Sequence, residues 1–294
     1  MLGARLSHGD DDVLLLSTDK EHIRAIQGEG LLVEELDGTV RRYRVAACDN
    51  PGAVRAQPDL VLVTVKTYST EQAVSSVRDC CHASSSFLTL QNGVGNRERI
   101  SGLVGEDRVM VGVTAQGATL VGPGRVRHGG NGPTFVGEFR GPPSSRARTA
   151  VDLFNRVGIE AHTSNQMERL IWEKLLVNVG INAITALTGI LNGMIAELPP
   201  GRELSRSAVE EALLVAGARG IDVSEEIVDR VLNVARSTAR NRSSMGQDVD
   251  RGKRTEIDAI NGAIVQFGRK ANIDTPVNQT LVHLIKILEA RIIG

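Results

Sequence analysis

The stretch LVLVTV at positions 60–65 has apolar side chains at five of its six positions, and three of these are valine. Similar apolar runs lie at 13–17 (VLLLS), 87–91 (FLTLQ) and 109–113 (VMVGV). Segments with helical periodicity lie at 20–28, 70–80 and 97–103. Apolar strands that alternate with helices are typical of a parallel sheet covered on both faces. The first part of the chain is therefore predicted to be a doubly wound α/β domain.

The pattern changes at about Asn165. Before this point, segments 126–128 and 134–137, joined by GGNGP, predict an antiparallel hairpin. A helix at 144–157 and a short strand at 159–162 follow. After Asn165, five segments have a 3.6-residue periodicity, at 166–191, 202–219, 224–241, 254–272 and 276–292. We therefore predict an α/β plus all-α chain, with domains at 1–164 and 165–294 and a ligand cleft between them.

Composition and charge exclude several classes of protein. The 294 residues are 41% hydrophobic and 23% charged, which excludes a disordered chain. Lys and Arg number 34 against 35 Asp and Glu, so the net charge of −1 argues against nucleic acid or an anionic membrane as the main partner. The six histidines show no paired metal-ligand spacing, and HExxH, GxSxG and P-loop motifs do not occur. We predict no metal site and neither a hydrolase nor a kinase.

Two features predict a cytoplasmic protein. Cys48, Cys80 and Cys81 form no CxxC pair, which is typical of reduced thiols. The most apolar stretch, 175–198, has Glu197 as its sole charge but contains three asparagines. Because these amides are costly in a lone membrane span, we expect this stretch to be a buried helix instead.

The chain begins with a helical segment at 2–7 and reaches the strand at 13–17 directly. A doubly wound domain opens with a strand and a glycine-rich turn, and no GxGxxG motif occurs in that context. We expect two half-sheets with unpaired backbone groups where this strand would lie. Our hypothesis is that about 12–15 residues, enough for one strand and one turn, precede Met1 in the native protein. A non-catalytic remnant is the alternative.

Three positions follow strand ends, where open α/β sheets bind ligands. They are Lys66, Asn92-Gly93 and Thr18-Asp19. Taken alone, Lys66 is explained equally well as a solvated loop lysine as by a ligand-binding role. Asn92-Gly93 taken alone mostly indicates a turn. Thr18 is predicted to cap the next helix, since Thr18 to Glu21 matches a capping box. Asp19 is a candidate for binding a ribose hydroxyl.

Polar residues form a row on the first helical segment of the second domain. Lys174, Asn178 and Asn182 stand at i, i+4 and i+8, so they project from one face. The rest of the segment is apolar, so this row must be hydrogen-bonded or line a polar cavity. A satisfied structural network is the alternative. Asn192 is a further candidate for the same cavity.

A third polar cluster begins with RSSMGQD at 242–248, which is interpreted as a loop between helices. Glu256 is predicted to lie in the opening turn of the next helix. A carboxylate there interacts favourably with the helix dipole, which is a purely structural explanation for Glu256.

Together these residues resemble the ketopantoate reductase (2-dehydropantoate 2-reductase) family. The matching segments are LGARL at 2–6, VTVKTY at 63–68, LQNGVGN at 90–96, GRVRHGGNGPTFVGE at 124–138, WEKLLVNVGINAITAL at 172–187, SSMGQDV at 243–249 and KRTEIDAINGAIV at 253–265. The resemblance implies an N-terminal Rossmann-type, dinucleotide-binding domain and a C-terminal helical domain for substrate binding and dimerisation.

The resemblance also implies roles for individual residues. Lys174 matches the proton donor, and Glu256 matches a carboxylate near cofactor and substrate. The implied substrate contacts are Asn92, Asn178, Asn182, Asn192 and Ser244, with Asp248 as the acidic neighbour of Ser244. The implied cofactor contacts are Lys66, Asn92, Glu256 and the backbone of Ala118.

The implied activity is NAD(P)H-dependent reduction of 2-dehydropantoate to (R)-pantoate in pantothenate and coenzyme A biosynthesis, by hydride transfer with Lys174 as general acid. NADPH is the expected cofactor. NADH stays open because Thr18 replaces the expected arginine and the neighbouring Asp19 would repel a phosphate, although Lys20 offers a compensating charge. The expected partners are a small 2-keto acid and a second copy of the chain. A relative that reduces another 2-keto or β-hydroxy acid is the alternative enzyme.

Overall fold

Residues 1–9, 11–54 and 57–293 are described by a computed structural model. Their contacts divide the chain into two units. The first, called the sheet unit, comprises Met1–Thr64, Thr70–Leu90 and Arg97–Met167. The second, called the helical unit, comprises Val65–Ser69, Gln91–Asn96 and Glu168–Gly294. Two short segments from the α/β part of the sequence thus group with the helices, and the domain bounds 1–164 and 165–294 stay predictions.

The sheet unit contains eleven strands among the described residues. They are β1 (Leu14–Leu16), β2 (Leu31–Glu34), β3 (Val40–Tyr43), β4 (Ala46–Cys48), β5 (Leu60–Val63), β6 (Ser86–Thr89), β7 (Val109–Thr114), β8 (Gly117–Gly122), β9 (Arg125–Gly130), β10 (Thr134–Gly137) and β11 (Ala161–Thr163). The helices of this part of the chain are α1 (Leu2–Leu6), α2 (Lys20–Glu29), α3 (Thr70–Val77), α4 (Asn96–Val104) and α5 (Ser145–Arg156).

A five-stranded sheet with the order β11-β10-β7-β6-β5 forms the centre of this unit. Strands β5, β6 and β7 are parallel, and every residue of β6 is buried. The predicted parallel sheet of apolar strands is therefore confirmed. Strand β1 pairs in parallel with β4 in a separate two-stranded sheet. Within the described residues β1 and β5 are each paired on one side only, in agreement with the expected division into two half-sheets.

The predicted hairpin between 126–128 and 134–137 is wrong. Strand β9 instead pairs antiparallel with β8 and parallel with β2, in a four-stranded sheet of order β3-β2-β9-β8. Strand β10 pairs with β7 in the other sheet. Gly124, whose φ of +66° suits a tight turn, makes the real hairpin one strand earlier. Residues 131–133 after β9 instead connect the two sheets.

The helical unit consists mainly of seven helices over its described residues. They are α6 (Met167–Thr188), α7 (Asn192–Glu197), α8 (Pro199–Ala218), α9 (Ile227–Ser237), α10 (Ser244–Asp250), α11 (Asn261–Ala271) and α12 (Pro276–Ile293). Helix α6 contributes many side chains to a single core cluster, among them Leu175, Leu176 and Val179. Of the helices described, only α6 is long and apolar enough to span a membrane, and most of its apolar window is buried inside the structure.

Two expectations about this unit are corrected. The segment 242–248 is not a loop, because α10 begins at Ser244 and the Ser243 hydroxyl caps it by accepting a hydrogen bond from the Gly246 N–H at 3.0 Å. Glu256 does not lie in the opening turn of a long helix. It precedes a 3₁₀ turn, Ile257–Ala259, and α11 starts only at Asn261.

Candidate active site

The loops that follow β5 and β6 carry Lys66 and Asn92 into the helical unit. Gln91 Nε2 donates to the Val65 carbonyl at 2.7 Å, and Thr67 Oγ1 lies 3.2 Å from the Asn92 carbonyl oxygen. Gly93 has a φ of +76°, and a Cβ there would lie 2.5 Å from the Ala259 carbonyl oxygen. The Asn92-Gly93 pair is therefore a turn, as its composition indicates, and also a close contact with the segment after Glu256.

Lys66 lies between two carboxylates that are far away in sequence. Its Nζ is 2.6 Å from Asp248 Oδ2 and 3.2 Å from Glu256 Oε2. The other oxygen of Glu256, Oε1, accepts hydrogen bonds from the Thr67 N–H and from Thr67 Oγ1, each at 3.0 Å. Glu256 and Asp248 are both buried. Three donors from one loop therefore orient the Glu256 carboxylate.

These contacts set the charge of Lys66 and Asp248. Burial disfavours the ammonium of Lys66, but Glu256 and Asp248 outweigh it and raise the pKa of Lys66 above its ordinary value. Burial raises the pKa of the Asp248 carboxyl, and the attraction of Lys66 opposes this only in part. Lys66 is therefore a permanently charged group at neutral pH.

The predicted row on α6 is present and is partly to fully buried. Lys174 and Asn178 are half-buried, and Asn182 is 4% exposed. Asn182 Nδ2 donates to Ser244 Oγ at 3.4 Å, which joins the row to α10. The Nδ2 atom of Asn178 is buried and has no hydrogen-bond partner among the described residues. A buried donor without an acceptor is costly, so Asn178 fits a position that a ligand acceptor fills.

Lys174 has an unusual environment for an ammonium group. Burial lowers the pKa of Lys174 to about 8, and the negative charge of Glu256 acts in the opposite direction. Glu256 therefore influences both lysines. The helical unit contains Asp248 and eight of the predicted residues, of which Asn192 is described below. The other seven are Lys66, Asn92, Lys174, Asn178, Asn182, Ser244 and Glu256.

Three other predicted positions have different surroundings. Asn192 begins α7, and its Nδ2 donates to Thr238 Oγ1 at 3.0 Å, while its buried Oδ1 has no partner in the described part of the chain. Ala118 lies in the sheet unit, exposed on β8. The prediction that Thr18 caps α2 is wrong by one residue, because Asp19 Oδ1 accepts from the His22 N–H at 3.0 Å and makes Asp19 the N-cap. Asp19 has the extended backbone that is usual for an N-cap residue.

Sequence reasoning missed residues that support this site. Thr67 stands out in the sequence only as part of a motif, although it holds Glu256 with two hydrogen bonds. Thr185 Oγ1 donates to Ser243 Oγ at 2.6 Å and connects α6 with the cap of α10. A hydroxyl next to a predicted site lysine was the available signal for Thr67, whereas the partner of Thr185 is visible only in the fold.

Comparisons with known proteins identify the family of the chain. The family model described as ketopantoate reductase PanE/ApbA matches residues 1–141, and that described as ketopantoate reductase PanE/ApbA C terminal matches residues 166–289. The chain is 40% identical to a 2-dehydropantoate 2-reductase of Halobacterium salinarum over 289 residues, which cover 98% of this chain and 95% of that protein.

Solved structures have the same fold. A PanE/ApbA family ketopantoate reductase from Ralstonia eutropha JMP134 is 30% identical and superposes with a TM-score of 0.91, covering 100% of this chain and 95% of that one. A D-mandelate dehydrogenase solved with NADH and anilino(oxo)acetate has a TM-score of 0.92 at 24% identity, covering 99% and 95% of the two chains. Because both family models match and the similarity extends over nearly its whole length, the chain belongs to the ketopantoate reductase family and is an oxidoreductase.

Proposed function

We propose that this protein reduces 2-dehydropantoate to (R)-pantoate with NADPH, as a step of pantothenate and coenzyme A biosynthesis, and that Lys174 is the general acid. The observation that carries the proposal is the environment of Lys174. Its pKa of about 8 allows proton donation near neutral pH, and it shares a helix face with Asn178, whose buried Nδ2 has no hydrogen-bond partner among the described residues. The 40% identity to a protein named 2-dehydropantoate 2-reductase supports the choice of substrate.

The chain's own residues would act on the keto acid in two ways. The Lys174 ammonium stabilises the negative charge that develops on the carbonyl oxygen and then protonates that oxygen. The amides of Asn178 and Asn182 and the hydroxyl of Ser244 offer donors and acceptors for the carboxylate and hydroxyl of the substrate. Of these, Asn178 Nδ2 is the donor that has no partner within the described residues.

Glu256 is proposed to keep this charge arrangement in place. Its carboxylate favours the protonated form of Lys174, against the effect of burial. At the same time it accepts hydrogen bonds from Lys66 and Thr67. A carboxylate held by three donors cannot easily move to a different position, so its effect on Lys174 is constant during the reaction.

A nicotinamide cofactor would supply the hydride. The residues that fit its nicotinamide end are polar and grouped together: Lys66, which keeps its charge, Asn92 and Glu256. The family resemblance adds a backbone contact at Ala118. The D-mandelate dehydrogenase of the same fold was solved with NADH. The choice of NADPH rests on the family, and Asp19 is the residue that argues for NADH instead.

The test is the loss of absorbance of reduced nicotinamide on addition of 2-dehydropantoate, with NADPH and NADH in separate assays. We expect consumption with the wild type and a fall in kcat of about 10²-fold or more for Lys174→Ala. Lys270→Ala, at an exposed lysine of α11, is the matched control and should behave as wild type. No consumption with either cofactor contradicts the proposed reaction, and near-normal turnover of Lys174→Ala removes Lys174 from the role of acid.

A further inference from the structure

Glu289, near the end of α12, is a buried carboxylate that the proposed reaction does not use. It is 7% exposed. Its Oε1 accepts two hydrogen bonds from the same residue, one from the Thr255 N–H at 2.7 Å and one from Thr255 Oγ1 at 2.6 Å. Its Oε2 lies 3.3 Å from Lys286 Nζ, whose side chain is 38% exposed. The carboxylate is therefore committed mainly to one backbone position.

That position is the residue before Glu256. Thr255 is 1% exposed, and its hydroxyl oxygen also accepts a hydrogen bond from the Ile257 N–H at 3.2 Å. A chain of hydrogen bonds thus runs from Glu289 through Thr255 to Ile257. The backbone on both sides of Glu256 is fixed by this chain, while the Glu256 side chain is held by Thr67 and Lys66.

We propose that Glu289 is a positioning residue for Glu256: it holds the backbone of Thr255 and Ile257 so that the Glu256 carboxylate reaches Thr67 and Lys66. This inference rests on the proposed function for its effect on catalysis. The physical reason is that a charged acceptor makes short, strong hydrogen bonds to a buried N–H and O–H. Without it the Thr255 N–H is buried and unpaired, so the segment is driven to another conformation.

Three variants separate this role from simple loss of a charge. Glu289→Ala removes both hydrogen bonds and is expected to lower kcat/KM about tenfold or more. Glu289→Gln keeps an amide oxygen that accepts from Thr255, so it should stay within about threefold of wild type. Lys286→Ala removes the ion pairs of Lys286 with Glu289 and Asp258 but leaves both hydrogen bonds between Glu289 and Thr255, so its kcat/KM should equal that of the wild type. Equal losses in Glu289→Ala and Lys286→Ala, or no loss in Glu289→Ala, overturn the inference.

A double-mutant cycle tests that the effect passes through Glu256. In a Glu256→Gln background, Glu289→Ala should lower kcat/KM by less than about twofold further. Independent, multiplying losses would show that Glu289 acts elsewhere. A second readout is the pH profile, because displacement of the Glu256 charge should move the decline of kcat/KM to lower pH in Glu289→Ala.

Hydrogen exchange tests the inference without an activity assay. The Thr255 and Ile257 amides should exchange at least tenfold faster in Glu289→Ala than in wild type, and unchanged exchange overturns the proposal. If the wild type does not reduce 2-dehydropantoate, the proposed function fails while this exchange result still decides the role of Glu289. If Glu289→Ala does not fold, Thr255→Val provides the same test at Ile257, with Thr255→Ser as the rescuing variant.

Discussion

Two lysines of the helical unit, Lys66 and Lys174, have pKa values shifted in opposite directions, although Glu256 acts on both. Lys66 contacts two carboxylates at 2.6 and 3.2 Å, so attraction exceeds the effect of burial and raises its pKa. For Lys174 burial is the larger effect, and its pKa falls to about 8. Lys66 is therefore suited to hold a fixed positive charge, whereas Lys174 is suited to exchange a proton.

The pH dependence of the reduction should report Lys174. Its pKa is lowered from 10.5 to about 8, so the ammonium predominates below pH 8 and is lost above it. We expect kcat/KM to be level at lower pH and to fall about tenfold per pH unit above 8. The measurement is a pH profile with saturating reduced cofactor. A level profile up to pH 10 would contradict this assignment of the acid.

Asp19 is predicted to weaken the preference for NADPH. Its carboxylate is exposed and caps α2. Asparagine caps helices about as well as aspartate, so Asp19→Asn removes the charge with little effect on folding. A charge at about 4 Å in water contributes about 1 kcal/mol, so the ratio of kcat/KM for NADPH over NADH should rise about fivefold. The exposed Glu21→Gln is the control, and an unchanged ratio in Asp19→Asn would exclude a role for Asp19.

At the level of elements, the side chain of Arg242 adds to the hydrogen bonds that hold α10 to α6. Arg242 Nε and Nη2 donate to the two oxygens of Asp250 at 2.8 and 2.9 Å, and Nη1 donates to the carbonyls of Thr185, in the last turn of α6, and of Ile190, just after α6. An arginine is suited to the carbonyl groups that a helix C-terminus leaves free. This contact keeps Ser244 of α10 next to Asn182 of α6.

Gly246 and Arg242 are predicted to be coupled. A Cβ on Gly246 would lie 2.6 Å from Arg242 Cζ, and four hydrogen bonds prevent the guanidinium from moving away. Gly246→Ala should therefore destabilise the wild type by about 1–3 kcal/mol. In an Arg242→Ala background the same change should be neutral or stabilising. Denaturant unfolding of the four proteins measures this, and equal effects in both backgrounds would contradict the coupling.

The close contact of α6 with α8 and α9 depends on Gly180. A Cβ there would lie 2.8 Å from each of Ser205 Oγ, Val209 Cγ2 and Val231 Cγ1. We expect Gly180→Ala to lower the free energy of unfolding by about 1–3 kcal/mol. A Cβ on Gly102 of α4 would have no neighbouring atom within 4 Å, so Gly102→Ala should stabilise by about 0.5–1 kcal/mol. Thermal unfolding compares the two variants with the wild type. A Gly180→Ala variant as stable as the wild type would show that the helices can move apart.

For the whole molecule, binding of the cofactor should appear as stabilisation. A ligand at a free concentration of 100 times its Kd stabilises the folded state by about 2.7 kcal/mol. We expect NADP⁺ to raise the Tm by roughly 5 °C or more, and Lys66→Ala to reduce this shift. Thermal unfolding with and without nucleotide is the measurement. No shift with NADP⁺ or NAD⁺ would favour the alternative of a non-catalytic remnant.

Much of the architecture follows from local sequence. The runs at 60–65, 87–91 and 109–113 are apolar because their strands are partly to fully buried, and the period of the α-helix places Lys174, Asn178 and Asn182 on one face. These are properties of a few neighbouring residues, so they can be read without knowing the fold. The family motifs add the identity of the site residues in the same local way.

Long-range pairing was decided by the tertiary structure. Strand β9 pairs with β2 and β8 rather than with β10, and Lys66 meets Asp248 and Glu256 across 182 and 190 residues. Neither result is contained in a local pattern, because a strand edge accepts any partner that the fold brings to it and an ammonium pairs with whichever carboxylate is near. Composition and periodicity thus determined the class of fold and the candidate side chains, while chain packing alone selected their partners and charges.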